Sequence, residues 1–270
     1  MINKAPLYSI VTVVYNNLSG LELTKASIYA QNFTDFEWIV VDGASDDGTV
    51  EFLEKSNLNN LHWKSEKDAG IYDAMNKGVS LCRGQFVVFL NAGDCFTDIE
   101  VISDISSFHL SPQGKFTDVL CCGANLVLAD GRKTYRPPKS VDGYIWHGLP
   151  ANHQATYYRR ITLGENPYDL RFKMCGDYYV AANLFIKKAK FNYLNRPVVE
   201  FILDGVSFSW RKELFWEPYV IQQKLLGLGF GWRLLSLVKR TMSSMVLRLF
   251  SVPILGWGAY KFVSYVRSKQ

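Results

Sequence analysis

The stretch Val87-Val88-Phe89-Leu90-Asn91-Ala92-Gly93-Asp94 constrains this chain more than any other. An apolar, β-favouring run stops abruptly at Asn-Ala-Gly-Asp. Short apolar runs of this kind form strands buried on both faces, as in parallel sheets covered by helices. At the carboxyl end of such a strand the chain enters the crevice where open α/β sheets bind ligands. Asp94 therefore sits where a hard cation and a phosphate can meet. Taken alone, the same four residues also suit an ordinary polar turn.

The surrounding pattern supports the first alternative. Leu7–Tyr15 reads as a buried strand, Gly20–Gln31 as a helix, and Phe36–Asp42 as a second strand that again ends in a carboxylate. Gly43–Thr49 is a turn and helix cap before a helix over Val50–Lys55. Leu61–Trp63 is a short strand, Tyr72–Cys82 a helix, and Gln85–Leu90 the strand of the opening. Strands alternating with helices at these spacings predict a doubly wound parallel sheet. Beyond Asp94 the expected elements are a helix over Ile99–Phe108, a strand over Asp118–Leu128 and a hairpin turn at Ala129-Asp130-Gly131. There follow a polar loop over Arg132–Ile145, a strand over Ala151–Tyr158, a helix over Gly176–Lys187, and strands over Phe191–Leu194 and Val198–Leu203. A mostly helical tail begins near Trp210.

Charge separates the tail from the body. The chain of 270 residues has a formal net charge of +5, but residues 218–270 hold eight basic residues and no acid. The first 217 residues carry 22 basic against 25 acidic side chains, a net −3. This argues against nucleic acid along the body and for an anionic membrane surface at the tail. The tail interleaves Leu, Phe and Trp with Lys and Arg, too interrupted to span a bilayer and suited to a helix in the headgroup region. A helical cap packed on the main domain is the alternative. The five cysteines are odd in number and lack zinc-like spacing, and no apolar signal segment precedes the first strand, so reduced thiols and a cytosolic setting are expected.

In a parallel sheet, Asp42 and Asp94 open on one edge, joined there by Tyr15 and Thr12. An aromatic ring can stack on a base, one carboxylate can accept from an imide edge, and a second can hold a cation bridging a diphosphate. Asp42 can equally cap its own turn. No Gly-x-Gly-x-x-Gly follows the first strand and no Walker-type loop is present, which disfavours a dinucleotide-dependent oxidoreductase and a P-loop enzyme. A sugar nucleotidyltransferase would need a glycine-rich basic loop where Tyr15-Asn16-Asn17 stands.

Four ordered blocks carry a resemblance. They are Thr12-Val13-Val14-Tyr15-Asn16, Val41 through Thr49, Gly70-Ile71-Tyr72-Asp73-Ala74-Met75-Asn76-Lys77-Gly78, and the acidic strand end at Asp94. Together they resemble an inverting glycosyltransferase of family 2 with the GT-A fold, similar to enzymes of bacterial colanic acid, capsule and lipopolysaccharide biosynthesis. The resemblance implies a mixed, mostly parallel central sheet flanked by helices. It implies a GT-A domain over 1–209, divided into a nucleotide-sugar half (1–95) and an acceptor half (96–209); the helical, basic, amphipathic tail over 210–270, read from its own composition, is expected to associate with the membrane. It further implies Mg²⁺ or Mn²⁺ held by Asp94. The usual Asp-Ala-Asp-Asp is Asn91-Ala92-Gly93-Asp94 here, so waters would supply missing ligands. Donor contacts are implied for Thr12, Tyr15, Asp42, Asp68, Asp73, Asn76, Asn91 and Ala92; Asp73 also suits a helix start. Where relatives carry Glu-Asp, this chain has Gly176-Asp177, and Asp177 is the implied base. His153, Gln154 and Trp146 are assigned to the acceptor or diphosphate region, with a structural histidine as the alternative for His153. Asp204-Gly205-Val206-Ser207 matches a segment of that subgroup without a derivable role.

The expected partners are a nucleoside-diphosphate sugar, a lipid-linked or saccharide acceptor, and the anionic inner face of the plasma membrane through residues 218–270, with no nucleic acid. A non-catalytic member of the fold that binds nucleotide or membrane is the competing reading, prompted by the depleted metal block. Sugar, base, linkage and oligomeric state are not legible in the sequence.

Overall fold

The computed structural model describes residues 5–128, 131–202 and 211–251, with side chains up to residue 243. Its first half alternates as expected: β1 (Tyr8–Val14), α1 (Leu18–Tyr29), β2 (Phe36–Asp42), α2 (Thr49–Glu54), β3 (Leu61–Ser65), α3 (Ile71–Leu81) and β4 (Phe86–Phe89). The second half runs β5 (Cys95–Phe96), α4 (Val101–Leu110), β6 (Val119–Val127), β7 (Lys133–Arg136), α5 (Val141–Tyr144), a 3₁₀ turn at His153–Ala155 and β8 (Thr156–Arg159). It continues with α6 (Arg160–Leu163), α7 (Gly176–Ile186), β9 (Phe191–Ile202), α8 (Glu213–Lys224) and α9 (Phe230–Ser251). The turn at Ala129-Asp130, the Asp204–Ser207 segment and the tail beyond Ser251 lie outside the described residues.

All strands join one mixed sheet in the order β3-β2-β1-β4-β8-β6-β9-β5, with β7 on the flank of β6. The four strands β3, β2, β1 and β4 are mutually parallel. The chain then reverses: β8 is antiparallel to both β4 and β6, while β9 returns parallel to β6. Parallel pairing is thus concentrated in residues 1–95.

Successive strand residues point to opposite faces, and both faces are covered. Ile10, Val14, Trp38, Val40 and Val88 pack with Leu21 and Ile28 of α1 and Ile102 and Ile105 of α4. Val11, Val13, Ile39, Val41 and Phe89 pack on the other side with Met75 and Val79 of α3 and Val180 and Leu184 of α7. This explains why the strands read as continuous apolar runs rather than alternating ones.

Three expected elements differ. The polar 132–145 loop contains β7, whose Tyr135 ring lies where a Cβ on Gly123 would be, 2.4 Å from the nearest ring atom, and it also contains the short α5. The strand expected from Ala151 starts only at Thr156, because Asn152 accepts from the Gln154 N–H and caps a 3₁₀ turn. The two strands near 191–203 are one, β9, whose register against β6 shifts at Gly123, opposite Pro197, a residue with no N–H to give the ladder. The tail also has structure: α8 and the start of α9 pack on the second half, with Ile221 buried among Tyr178, Ala181 and Ala182.

Candidate active site

Parallel pairing aligns the ends of β1 and β2, with Val14 opposite Asp42, so Tyr15 and Gly43 emerge side by side. Tyr15 is 66% exposed. A Cβ on Gly43 would lie 2.8 Å from Asp68 Oδ2 and 3.2 Å from Tyr15 Cδ2. The absence of that Cβ lets the Tyr15 ring and the Asp68 carboxylate close over the backbone, forming a slot with an aromatic wall and an acceptor. Asp42 is fully buried beneath it. Its oxygens accept from the Ser45 N–H (3.0 Å), the Ser45 hydroxyl and the Ser65 hydroxyl (2.6 Å). The turn-capping alternative for Asp42 is therefore realised here. Thr12 does not open on this edge. Its hydroxyl donates to the Leu90 carbonyl (2.7 Å) and accepts from Trp38 Nε1 (2.9 Å), because residue 12 falls on the core face of β1.

The next block folds back on itself. Asp68 accepts from the Gly70 N–H (2.8 Å), and Asp73 from the Ala69 N–H (3.0 Å). Asp73 also pairs with Lys77 at 3.2 Å, and the Ala69 N–H is the leading cause that holds its carboxyl below the usual range. Gly70 starts α3 at φ 118°, a conformation side chains rarely adopt. Asn76, expected at the donor, is buried and its amide is taken up by the Tyr168 backbone, donating to the carbonyl (2.9 Å) and accepting from the N–H (3.0 Å). It ties α3 to the segment before α7 instead.

After β4, the Asn91–Asp94 turn is stapled by α1. Asn17 donates to the Ala92 carbonyl (3.1 Å), and the Thr24 hydroxyl accepts from the Gly93 N–H (3.0 Å) and donates to the Asp94 carbonyl (2.9 Å). Gly93, at φ 103°, permits the reversal that sets the Asp94 N–H on the Asn91 carbonyl (2.9 Å). Asp94 is buried at this turn, and Asn91 Oδ1 is a buried acceptor without a hydrogen-bond partner. An amide oxygen and a carboxylate on one turn are the donor types a hard divalent cation takes, so these residues fit such an ion. Among the described residues, no group of three or more acidic, His or Cys side chains could hold a metal.

Asp177 is the second residue of α7 and half-buried. Burial raises its pKa to about 6, against the Tyr178 N–H (2.7 Å) and the positive charge of Arg136, which both favour the carboxylate. The Tyr72 hydroxyl, from α3, approaches the same oxygen at 3.5 Å. A Cβ on Gly176 would come within 2.9 Å of three Tyr72 ring atoms. The Tyr72 ring occupies the space that a side chain at position 176 would need. Tyr72 stacks on Tyr168 at 5.2 Å, and Tyr168 hydrogen-bonds His153 Nε2 (3.0 Å). His153 is buried, stacked on Phe89 and also bonded to Tyr158 (3.3 Å); burial lowers its pKa to about 4, so it is a neutral core residue under the site. Gln154 is buried beside it. Trp146 faces the tail, 5.3 Å from the Trp232 ring. The sequence reading missed Asn17, Thr24, Tyr72 and Tyr168. Of these, only Tyr72 lay within a recognised block.

The profile described as Glycosyl transferase family 2 matches residues 9–106. An uncharacterized glycosyltransferase of Mycobacterium tuberculosis is 30% identical over 176 residues, 64% of this chain and 67% of its own length. A PGL/p-HBAD biosynthesis glycosyltransferase of Mycobacterium bovis is 30% identical over 181 residues, 64% of this chain and 68% of its own. The chain belongs to glycosyltransferase family 2. Solved structures place this family member in the GT-A fold. S. aureus TarS in complex with UDP-GlcNAc superposes with a TM-score of 0.68 at 19% identity, covering 92% of this chain and 76% of TarS. The mannosyltransferase PcManGT from Pyrobaculum calidifontis, in complex with GDP-Man and Mn²⁺, gives 0.61 at 15%, covering 98% and 85%.

Proposed function

We propose that this family 2 glycosyltransferase moves a sugar from a nucleoside-diphosphate donor to a hydroxyl of a lipid-linked saccharide, inverting the anomeric centre, in bacterial surface polysaccharide or glycolipid assembly. The observation that carries the reading is Asp177, a half-buried carboxylate with a pKa raised to about 6, linked through Tyr72 to the α3 loop that holds Asp68 beside Tyr15. Such a group is ionised at neutral pH and basic enough to take a proton. In the proposed step the acceptor oxygen attacks the anomeric carbon from the face opposite the diphosphate. The bond to the diphosphate breaks, and the hydroxyl proton passes to Asp177 through an oxocarbenium-like transition state. Tyr15 and Asp68 would bind the nucleoside end, and Asp68 and Asp73 would border the sugar. Asn91 and Asp94 would hold Mg²⁺ or Mn²⁺, which offsets the charge developing on the leaving diphosphate.

The lipid-linked acceptor and a peripheral site on the cytoplasmic face of the membrane are supported by α9, whose two sides are inverted relative to an ordinary surface helix. Toward the body it places Ser236, bonded to Gln222 (2.8 Å) and His147 (3.1 Å), and Arg240, bonded to the His147 carbonyl. Outward it exposes Phe230, Leu234, Leu235, Val238 and Met242. Burying each such side chain is worth roughly 1.5–3 kcal/mol, and the neighbouring charges in the tail are all basic, which suits anionic lipid. No helix of the described residues is long and apolar enough to cross a membrane.

The test is turnover: purified protein, a panel of nucleotide sugars and an undecaprenyl-type lipid-linked acceptor, with the product anomer read by NMR. An inverted product from wild type and none from Asp177→Asn is expected. A retained anomer, or equal transfer by the variant, contradicts the assignment. Cosedimentation with anionic vesicles should fall at least tenfold for Leu235→Glu/Val238→Glu.

A further inference from the structure

We infer that Glu217, on the appended helix α8, is the positioning residue for the base: it pins the backbone from which Asp177 is aimed. The inference rests on the reading of Asp177 as base. Glu217 is 5% exposed, and its carboxylate accepts three successive backbone N–H groups, from Lys173 (2.6 Å), Met174 (2.9 Å) and Cys175 (2.8 Å). Converging amides of this kind form an anion-binding nest, filled here by a side chain from 42–44 residues further along the chain. Charge-assisted bonds are roughly twice as strong as neutral ones, and three of them offset the cost of burying the carboxylate.

The pin acts where α7 cannot fix itself. Cys175 is its N-cap and provides no side-chain cap, and Gly176 has no side chain to pack. The acid follows immediately. Glu217 is in turn fixed by its helix, since Ile221, one turn on, is buried against Tyr178, Ala181 and Ala182 of α7. The same α7 surface is held by α9, where the Arg240 guanidinium lies 5.5 Å from the Tyr178 ring centre. Two helices beyond the expected domain boundary thus fix the segment carrying the base, while the donor loops at 42–45, 68–73 and 91–94 draw their bonds from elsewhere.

The experiment compares full-length wild type, Glu217→Gln and Glu217→Ala, with rates normalised to folded protein by thermal melts. A displacement of about 1 Å at a catalytic group can cost about 10²-fold. The expected result is kcat lower by about tenfold in Glu217→Gln and about 100-fold in Glu217→Ala, with the donor KM within about twofold of wild type. The acid limb of kcat/KM should also move down from near 6 in both variants, further in Glu217→Ala, because a released Asp177 loses the burial that raises its pKa. Unchanged kcat in folded Glu217→Gln, or a loss with the acid limb still at its wild-type position, overturns the inference. Glu217→Gln decides the matter if the alanine variant does not fold. Asp177→Asn, run alongside, separates the two levels: transfer unaffected there removes the base assignment itself, whereas an inactive Asp177→Asn with a silent Glu217 removes only this inference.

Discussion

Residues 1–95 and the residues beyond them hold their polar groups in different ways. In the first, the loops after β2 and β3 hold several of their carboxylates by local bonds. Asp42 caps its own turn through Ser45, Asp47 accepts from the Thr49 N–H and hydroxyl, and Asp68 and Asp73 accept from residues two and four positions away. In the second, the important carboxylate is served from far along the chain, by Tyr72 at a separation of 105 residues and through a backbone that Glu217 holds. Local bonding gives short, recognisable blocks of residues. Long-range bonding leaves isolated residues whose meaning depends on the fold.

The largest expected effect that sharpens this contrast is at Asp177. Asp177→Asn should lower kcat by about 10²–10⁴-fold while nucleotide binding, which belongs to the other half, is kept. The same variant should be more stable above pH 6. The folded pKa, about 6, lies above the ordinary 3.8, so the native state binds more protons than the unfolded one between these values. Stability therefore falls as pH rises from about 4 to 6, and a neutral Asn escapes that loss. A Tm gain on the order of a few degrees at pH 8, read by calorimetry, would mark the acid as kept for chemistry at a cost in stability.

Next is Asp94→Ala. At a concentration of about 100 Kd, a nucleoside diphosphate with Mn²⁺ should stabilise wild type by about 2.7 kcal/mol, and the metal-dependent part of that rise should disappear in the variant. Retention of the full metal effect would move the cation site away from this turn. Thr12→Val breaks the comparison at a single residue: it leaves the Trp38 N–H buried without its partner and should cost about 1–3 kcal/mol in urea denaturation, with donor affinity unaltered. Gly43→Ala should be the smallest, weakening nucleotide affinity several-fold by calorimetric titration without lowering kcat, since the added Cβ presses first on Asp68 and Tyr15.

The parallel strands were legible because apolar runs buried on both faces carry a strong signal, and they set Tyr15 and Asp94 just past the ends of β1 and β4; Asp68 came only with the resemblance. Thr12 was not legible, because it lies within β1, where both faces are covered, and its hydroxyl is taken up by Trp38 and Leu90. Asn76 lay inside a recognised block, yet its amide serves Tyr168, 92 residues away. His153 read either as an acceptor-region contact or as a structural histidine, and nothing in its local sequence tells of Phe89 and Tyr168 closing around it. Glu217 gave no local cue at all; it precedes a proline within a helix and gains its role only from the amides at 173–175.

The most direct test of the central claim is the pH dependence of kcat/KM for sugar transfer by wild type and Asp177→Asn, measured from pH 4.5 to 8.5 with donor binding followed in parallel. A single acid limb with a midpoint near 6 in wild type, absent with the activity in the variant, is the predicted result. A profile flat through pH 6, or an identical limb in a variant that still turns over, would show that the proton goes elsewhere.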